Sequence, residues 1–369
     1  MDYKTLITQR TQQLKVILKK DKWKILLFIS IIIILYIYYM YFHRRIDRRM
    51  RKLDPYINEL EIRPITSCPK LIENGYLLCD FYVASSFRTF LPYCQTYDYS
   101  SLSMINKAIL LGARFIELDV YNKDFCIETT PVVCVGKQPG NWHYTSKLLF
   151  KDCCGIIAQN AFTSVLSNSS DPFFLCLNLY LEDNLQTMNK ISNIIRSMLG
   201  DWLLDSRYSY SRVNIAQVPI SEFLNKLVII TNNKCKGSKL AELVNYTWFQ
   251  PFLRNYSSLE ITDLAEPKEL TDFNRKNITR VYPNITDRDT KNYNPRACWM
   301  YGCQFVSMNY QLMDRNMLIY LKKFKKSSFI LKPYKLRFQP SYYNSPTPQT
   351  KKVSFAPEQI STPYYSITY

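Results

Sequence analysis

The sequence predicts an α/β protein, a TIM-type (β/α)8 barrel that follows an N-terminal transmembrane helix. Between residues 78 and 338 short apolar segments alternate with helical ones, and about eight such segments are typical of a parallel barrel. Near the N-terminus an apolar run of 18 residues contains no charged side chain. Glycine is scarce, with eight in 369 residues, and neither a P-loop nor a G-x-G-x-x-G motif is present, which argues against a nucleotide-binding sheet.

The apolar run at 25–42, ILLFISIIIILYIYYMYF, predicts a single membrane-spanning helix. At 1.5 Å per residue it is about 27 Å long, close to the hydrocarbon thickness of a bilayer. Trp23 precedes the run and tyrosines crowd its other end, as in the aromatic belts of membrane interfaces. Residues 1–24 form a basic N-terminal segment, and residues 43–77 are expected to form a basic stalk.

The formal net charge is +18, and much of the excess lies on both sides of the apolar run. Basic clusters beside a membrane helix attract anionic lipid head groups, and no nucleic-acid-binding motif competes with that interpretation. We therefore expect a membrane partner and no nucleic acid. Because both flanks are basic, the charge does not fix the orientation of the helix. The flanking cations are Lys15, Lys19, Lys20, Lys22 and Lys24 before the run and Arg44, Arg45, Arg48, Arg49, Arg51 and Lys52 after it.

From residue 78 onward the pattern alternates between the periods of strands and helices. Strands are predicted at 78–85, 115–120, 131–135, 173–179, 226–231, 259–264, 278–282 and 303–309. Helices are predicted at 100–111, 147–166, 184–200, 266–276 and 311–322. The active site of a parallel barrel lies at the carboxyl ends of its strands. The segment at 339–369 is rich in Pro, Ser, Thr and Tyr without periodicity and predicts a disordered tail.

Two carboxylates, Glu117 and Asp119, lie on one face of the strand predicted at 115–120. Two acids in an apolar strand can hold a hard cation such as Ca²⁺ or Mg²⁺ or carry out acid and base catalysis. They can also form ion pairs with arginine or lysine, as most buried acids do. The residues alone leave these interpretations open.

Nine motifs follow one another along the predicted barrel. The first six are ASSFRTFL (84–91), GARFIELDV (112–120), PVVCVG (131–136), TSKLLF (145–150), NAFTS (160–164) and DPFFLCLNL (171–179). The last three are ITRVYP (278–283), NYNPRACWMYGCQFVSMNYQ (292–311) and LKPYKLR (331–337). In this order they resemble the catalytic barrel of the eukaryotic phosphoinositide-specific phospholipases C. The resemblance implies an X-like half barrel at 78–234 and a Y-like half barrel at 235–338.

The resemblance implies hydrolysis of an inositol phospholipid by two histidines and a Ca²⁺ that is held by an asparagine and three acids. At the positions that match the histidines, this sequence has Phe87 and Val135. Arg88 stands in place of the metal-ligating asparagine. Of the three acids Glu117 and Asp119 are retained, and the third position is Asn178.

Part of the implied substrate site is retained. Arg280 and Tyr282 match the contacts to the lipid head group, and Thr262 is the loose match for a serine of the sixth strand. The two lysines expected to bind the substrate phosphate fall at 231–233, where the sequence reads Thr-Asn-Asn. His143 lies near the vacated second histidine position, and it is either a lone catalytic acid or an exposed loop residue.

These departures favour a membrane-anchored pseudoenzyme that needs no cofactor and binds anionic lipid or a protein partner. Each missing general acid or base removes about 10²–10⁴-fold in rate. Arg88 is expected to point at Glu117 and Asp119, bind a carboxylate and repel Ca²⁺, which would leave the acids as an internal ion pair. One alternative is an active, Ca²⁺-dependent phosphoric diester hydrolase that uses His143 with the two acids.

A second alternative is an adaptor that acts through its tail. Lys352, Val353 and Phe355 match the [RK]-V-x-F docking signal of type-one protein phosphatase partners, which bind as an added strand. A tail that binds this phosphatase would be cytosolic, and so would the barrel. The eleven cysteines, which include no C-x-x-C pair, agree with a reducing compartment. We therefore expect a single-pass membrane protein with a cytosolic barrel.

Overall fold

The computed structural model describes residues 22–93, 99–124, 128–137, 142–143, 145–163, 166–209, 212–233, 235–284, 290–340, 357 and 359–368. The chain forms two compact units, which divide after Phe338. The predicted phosphatase-docking residues Lys352, Val353 and Phe355 lie outside the described residues.

The described residues contain fifteen strands in chain order. They are β1 Phe81–Ser86, β2 Phe115–Asp124, β3 Glu128–Val133, β4 Gly136–Lys137, β5 Trp142–His143, β6 Leu148–Leu149, β7 Phe173–Tyr180, β8 Leu227–Thr231, β9 Tyr246–Thr247, β10 Leu253–Ser257, β11 Ile278–Tyr282, β12 Phe305–Met308, β13 Phe329–Leu331, β14 Gln359–Ser361 and β15 Ser366–Thr368.

The same residues contain ten α-helices. They are α1 Lys22–Arg51, α2 Asp54–Asn58, α3 Pro69–Glu73, α4 Leu102–Leu110, α5 Phe150–Ala161, α6 Leu185–Leu199, α7 Ser258–Thr262, α8 Pro267–Asn274, α9 Pro295–Met300 and α10 Arg315–Phe324.

Eight of the strands form a nearly closed parallel barrel, which confirms the predicted fold class. Their order around the barrel is β10, β11, β12, β1, β2, β7, β8 and β9, and every neighbouring pair is parallel. The last of these barrel strands in chain order, β12, therefore pairs with the first, β1. Among the described residues no ladder joins β9 to β10, and the barrel is open at that seam.

The alternation of β2 places its side chains in two layers. Ile116, Leu118 and Val120 pack in the cluster shared with the surrounding helices. Phe115 belongs to the cluster that fills the barrel interior, where its ring stacks on Phe305 at 4.5 Å between centroids. Because the side-chain period is two, the residues that follow Phe115 on the inner face are Glu117 and Asp119. The alternation along β2 thus places both acidic side chains inside the barrel, next to the stacked rings of Phe115 and Phe305.

Two of the predicted strands need correction. The segment at 131–135 contributes to β3, which runs antiparallel to β2 and lies outside the barrel path. The strand predicted at 259–264 is wrong, because residues 258–262 form α7. Ser257 and Glu260 make a reciprocal capping box that starts this helix, and the sixth barrel strand is the preceding β10.

The structure also bears on the predictions for the N-terminal helix, the stalk and the tail. Helix α1 has one segment that is long and apolar enough to span a membrane, and this segment is not buried in the protein. Beyond it Met50 and Leu53 are buried in the cluster that the barrel strands share with the surrounding helices, so part of the predicted stalk packs on the outside of the barrel. In the tail β14 and β15 pair as an antiparallel hairpin, and the prediction of a structureless tail is wrong there.

Candidate functional site

The predicted acids lie together at the carboxyl half of the barrel. Glu117 and Asp119 are 1% and 0% exposed. Asn178 on β7 is the register partner of Asp119. Its amide nitrogen donates hydrogen bonds to Glu117 Oε1 and to Asp119 Oδ1, each at 2.8 Å. The residue that replaces the expected third acid therefore holds the other two acids together.

Each acid also has its own arginine. Arg88 Nε lies 2.9 Å from Asp119 Oδ2, and the Arg280 guanidinium forms an ion pair with Glu117. Both arginines are buried, at 7% and 3% exposure. The expectation that Arg88 points at the acid pair is confirmed for Asp119. The partner of Glu117 is Arg280, which the sequence resemblance assigned to head-group binding instead.

The backbone after β1 aims Arg88 into the barrel. Its φ is +37°, a left-handed conformation that a non-glycine residue rarely adopts. The residues on either side are fixed, since Phe87 N donates to Met308 O at 2.9 Å and Thr89 N donates to Glu117 O at 3.0 Å. Strain of this kind costs about 1–3 kcal/mol and persists where the surrounding contacts determine the conformation. The ion pair with Asp119 is one such contact.

Aromatic rings enclose the second arginine. The Arg280 guanidinium carbon lies 4.7 Å from the ring centre of Tyr282, 5.2 Å from Trp248 and 5.8 Å from Phe87. Phe87 and Tyr282 are stacked with their planes 20° apart. Arg280 Nη1 also donates to Asn255 Oδ1 at 2.7 Å. The arginine is held by an acid, an amide and three rings.

Burial and charge together set the protonation of this cluster. Burial raises the pKa of the Glu117 carboxyl, against the lowering effect of Arg280 and of the Asn178 amide. Burial lowers the pKa of Arg88, but the charges of Asp119 and, to a smaller extent, Tyr180, Glu117 and Tyr121 together outweigh it, and the pKa is raised. Arg280 behaves in the same way beside Glu117, and its pKa is also raised. Both guanidinium groups therefore stay charged.

A cavity of about 200 Å³ opens above the cluster. Its walls include Trp248, which the sequence reasoning missed, and Asn232, which lies in the segment 231–233 where the resemblance places the two phosphate-binding lysines. Trp248 follows the two-residue strand β9, and Asn232 follows β8, so both lie at strand ends where functional side chains of a barrel are expected. Two carboxylates and two guanidinium groups meet at the floor of this cavity, so their formal charges cancel.

These residues do not fit the Ca²⁺ that the family resemblance implies. Calcium needs six to eight oxygen ligands, and carboxylates supply most of the charge. Here Asn178 presents amide hydrogens to the acids, and a guanidinium occupies the side of each carboxylate that a cation would need. Throughout the part of the chain that the structure describes, no group of three or more Asp, Glu, His or Cys side chains could hold a metal ion.

The remaining predicted residues lie apart from the acid pair or beyond the described side chains. Val135 is buried in the helix-facing core, and its amide donates to Thr145 Oγ1 at 3.0 Å. Thr262 is exposed on α7 and donates to Leu259 O, so it does not line the cavity. The backbone of His143 pairs with Gly136, but its side chain lies outside the described part of the chain.

The protein is an eight-stranded parallel barrel with two acids at the carboxyl half of its strands, where the active sites of such barrels lie. The chain belongs to the phosphatidylinositol-specific phospholipase C family. Residues 76–234 match the family's X domain and residues 224–335 match its Y domain.

Similar proteins include both enzymes and an inactive relative. The chain is 28% identical over 348 residues to human 1-phosphatidylinositol 4,5-bisphosphate phosphodiesterase zeta-1, with 75% of this chain and 53% of that protein covered. It is 23% identical to human inactive phospholipase C-like protein 2, with 73% of this chain and 28% of the relative covered. The chain thus spans at most about half of these relatives.

Among solved structures, that of S. officinalis PLC21 has the same fold. The TM-score is 0.60 at 24% identity, and the match covers 72% of this chain and 38% of that chain.

Proposed function

We propose that this protein is a membrane-anchored, catalytically inactive phospholipase C-like protein, a pseudoenzyme whose barrel binds anionic lipid or a protein partner. The observation that carries the proposal is the neutral cluster in which Arg88 pairs with Asp119, Arg280 pairs with Glu117 and Asn178 bridges the two acids. It accounts for both retained acids without a metal.

Three features of the sequence and the site support the absence of hydrolysis. A phosphodiester reaction by the family's chemistry needs a base for the attacking hydroxyl, an acid for the leaving group and a cation for the phosphate charge. The two expected histidine positions are the apolar residues Phe87 and Val135. Arg280 is committed to Glu117 and enclosed by rings, so a phosphate would have to displace a buried carboxylate to reach it.

The N-terminal helix supports the proposed anchoring. Its apolar segment is exposed and close in length to a bilayer core, and basic residues flank it. Exposed large apolar side chains on such a scale are unstable in water, and a membrane would cover them. Extraction of cell membranes with alkaline carbonate tests this part of the proposal. The chain is expected to stay in the membrane pellet, and its release into the supernatant would contradict anchoring.

The catalytic part is tested by inositol phosphate release. The full chain is reconstituted into vesicles that contain phosphatidylinositol and its 4,5-bisphosphate, with Ca²⁺ or with a chelator. We expect no release above that of protein-free vesicles, whereas an active phospholipase C measured in parallel shows Ca²⁺-stimulated release. Ca²⁺-stimulated release that disappears in His143→Ala would instead establish the rearranged active enzyme.

A further inference from the structure

An apolar groove lies on the outside of the barrel, between the antiparallel strands β3 and β6 and the helices α5 and α6. Its volume is about 350 Å³, and no acidic side chain is among the described residues that line it. They include Pro131 from β3, Leu149 from β6, Lys151 from α5, and Lys190, Asn193 and Ile194 from α6. None of these residues lines the cavity above the acid pair, so the groove is a separate site.

Two lysines border the groove without charging its interior. The surface inside the groove is almost entirely apolar. Lys151 and Lys190 therefore contribute the methylenes of their side chains to the walls, and their ammonium groups lie at the rim. Within the described part of the chain neither lysine takes part in an ion pair, a side-chain hydrogen bond or a cation–π contact. The groove thus combines an apolar interior with two positive charges at its edge.

Leu149 is an unusual residue for its position. It is the N-cap of α5, and its side chain makes no capping hydrogen bond. Helices prefer Ser, Thr, Asp or Asn at this position. The Leu149 side chain is also 46% exposed and belongs to none of the hydrophobic clusters of the described core. Neither helix capping nor core packing accounts for this leucine, whereas a ligand that packs on it in the groove would.

The size and charge of the groove fit a single acyl chain. A buried cavity of about 150 Å³ holds benzene, and on that scale a groove of 350 Å³ holds roughly fourteen carbon atoms. A phospholipid with two chains would overfill it, and an amphipathic helix needs a longer groove that accepts several anchor side chains. One carboxylate at the rim would meet the two ammonium groups in charge-assisted hydrogen bonds.

We propose that this groove binds a long-chain fatty acid, with its hydrocarbon chain against Leu149 and Ile194 and its carboxylate beside Lys151 and Lys190. The site goes beyond the function proposed above, since it uses neither the acid cluster nor the cavity over it. Affinity should rise by about twofold to fourfold per methylene, because each one leaves water, and should level off at about fourteen carbons. Fatty alcohols should bind more weakly, because they lack the charge that the lysines attract.

The test is photolabelling of the full chain in phosphatidylcholine vesicles with a palmitic acid analogue that carries a diazirine near its methyl end. Mass spectrometry compares labelling of the peptides that contain Leu149 and Ile194 with labelling of α1. The apolar segment of α1 reports how much probe the membrane holds. Unlabelled myristic acid should lower the ratio of groove to α1 labelling, and octanoic acid and myristyl alcohol should lower it less.

A variant of the apolar wall keeps the test independent of folding. Leu149→Ser removes the wall and supplies a favourable N-cap, so the fold should be retained. We expect this variant to lower the labelling ratio about tenfold. The matched control is Leu318→Ser on α10, where the leucine is 44% exposed and lies away from the groove. It should change the ratio by less than about twofold.

A second variant tests the charge at the rim. Lys151→Gln/Lys190→Gln should lower the labelling ratio about threefold to tenfold for the acid and leave that of the matching alcohol probe unchanged. The matched control is Lys239→Gln/Lys268→Gln, which removes the same charge from two exposed positions that do not line the groove. It should change neither ratio by more than about twofold.

The outcomes separate this site from its alternatives. Labelling confined to α1 would overturn the site and leave the groove to a protein segment. Equal losses in the lysine variant and its control, or equal labelling by acid and alcohol, would overturn the assignment to a fatty acid. Groove labelling without α1 labelling would support the groove and contradict the anchoring, so the two proposals fail separately.

Discussion

A calcium site should reappear when the charge balance of the acid cluster is reversed. The variant Arg88→Asn/Asn178→Asp replaces a guanidinium with an amide and a bridging amide with a carboxylate. Three carboxylates would then face one guanidinium, that of Arg280, and the cluster would carry two negative charges. In the wild-type cluster two carboxylates face two guanidinium groups, so bound Ca²⁺ would leave two uncompensated positive charges.

The magnitude follows from the contact at Asp119. A calcium ion lies 2.3–2.6 Å from its carboxylate ligands. Arg88 Nε already lies 2.9 Å from Asp119 Oδ2, so the ion and the guanidinium compete for the same position. Displacing one partner of a buried ion pair costs about 3–5 kcal/mol, or roughly 10²–10⁴-fold in Ca²⁺ affinity. The double variant removes this cost and adds an attractive charge.

The assay is the shift of the thermal unfolding midpoint with Ca²⁺, measured on the full chain in detergent. Without Ca²⁺ the double variant should unfold at a lower temperature than wild type, because its buried acids are uncompensated. Saturation to about 100 times Kd should recover about 2.7 kcal/mol, which is roughly 5–10 °C for a barrel of this size. Arg88→Asn alone should respond less. A Ca²⁺-dependent rise in wild type, or a folded double variant that ignores Ca²⁺, would refute the reasoning.

Two further predictions concern stability. Arg280→Met should lower the free energy of unfolding by about 3–5 kcal/mol, because it leaves Glu117 buried without its arginine. The control Arg254→Met breaks the partly exposed ion pair with Glu269 and should lower the free energy of unfolding by less than about 1 kcal/mol. Urea unfolding in detergent measures both, and equal costs would contradict the buried ion pair. Burial raises the pKa of Asp171 to about 6, so the folded state keeps a proton that the unfolded state loses near pH 4. The contribution of Asp171 to the free energy of unfolding is therefore largest below about pH 4 and falls by up to about 3 kcal/mol towards pH 6 and above. In Asp171→Asn the urea midpoint should no longer fall over this pH range. An unchanged pH slope in that variant would show that Asp171 titrates normally.

The barrel strands that are long apolar runs could be predicted from the sequence. The strands β9 and β10, which are short or lack an apolar run, could not. Strand β9 has two residues, and β10 reads Leu-Arg-Asn-Tyr-Ser, without an apolar run. The next segment, Leu-Glu-Ile-Thr at 259–262, looks more like a strand by composition. Ser257 followed by Glu260 is nevertheless a capping-box pattern, and this local signal outweighs strand propensity.

The sequence predicted the contacts of the site only for residues that lie in recognisable motifs. Arg88 and Asp119 lie in two motifs whose alignment already brings them together, so their ion pair could be expected. The pair between Arg280 and Glu117 joins residues 163 positions apart, across the barrel. Whether such an arginine faces a ligand or a carboxylate depends on which charges are buried beside it. A motif match cannot decide this, because it identifies the residue and not its partner.

The departures around the acids form one charge-balanced change rather than separate losses. The family pattern implies three acids around a divalent cation. Asn178 removes one negative charge, Arg88 adds one positive charge, and Arg280 supplies the second positive charge. Buried charges cost several kcal/mol each unless they are paired, so losing the cation without these compensations would leave carboxylates uncompensated at 0–1% exposure. Neither Arg88→Asn nor Asn178→Asp alone therefore restores a Ca²⁺ site. Each change gives the cluster a single negative formal charge, whereas bound Ca²⁺ requires two.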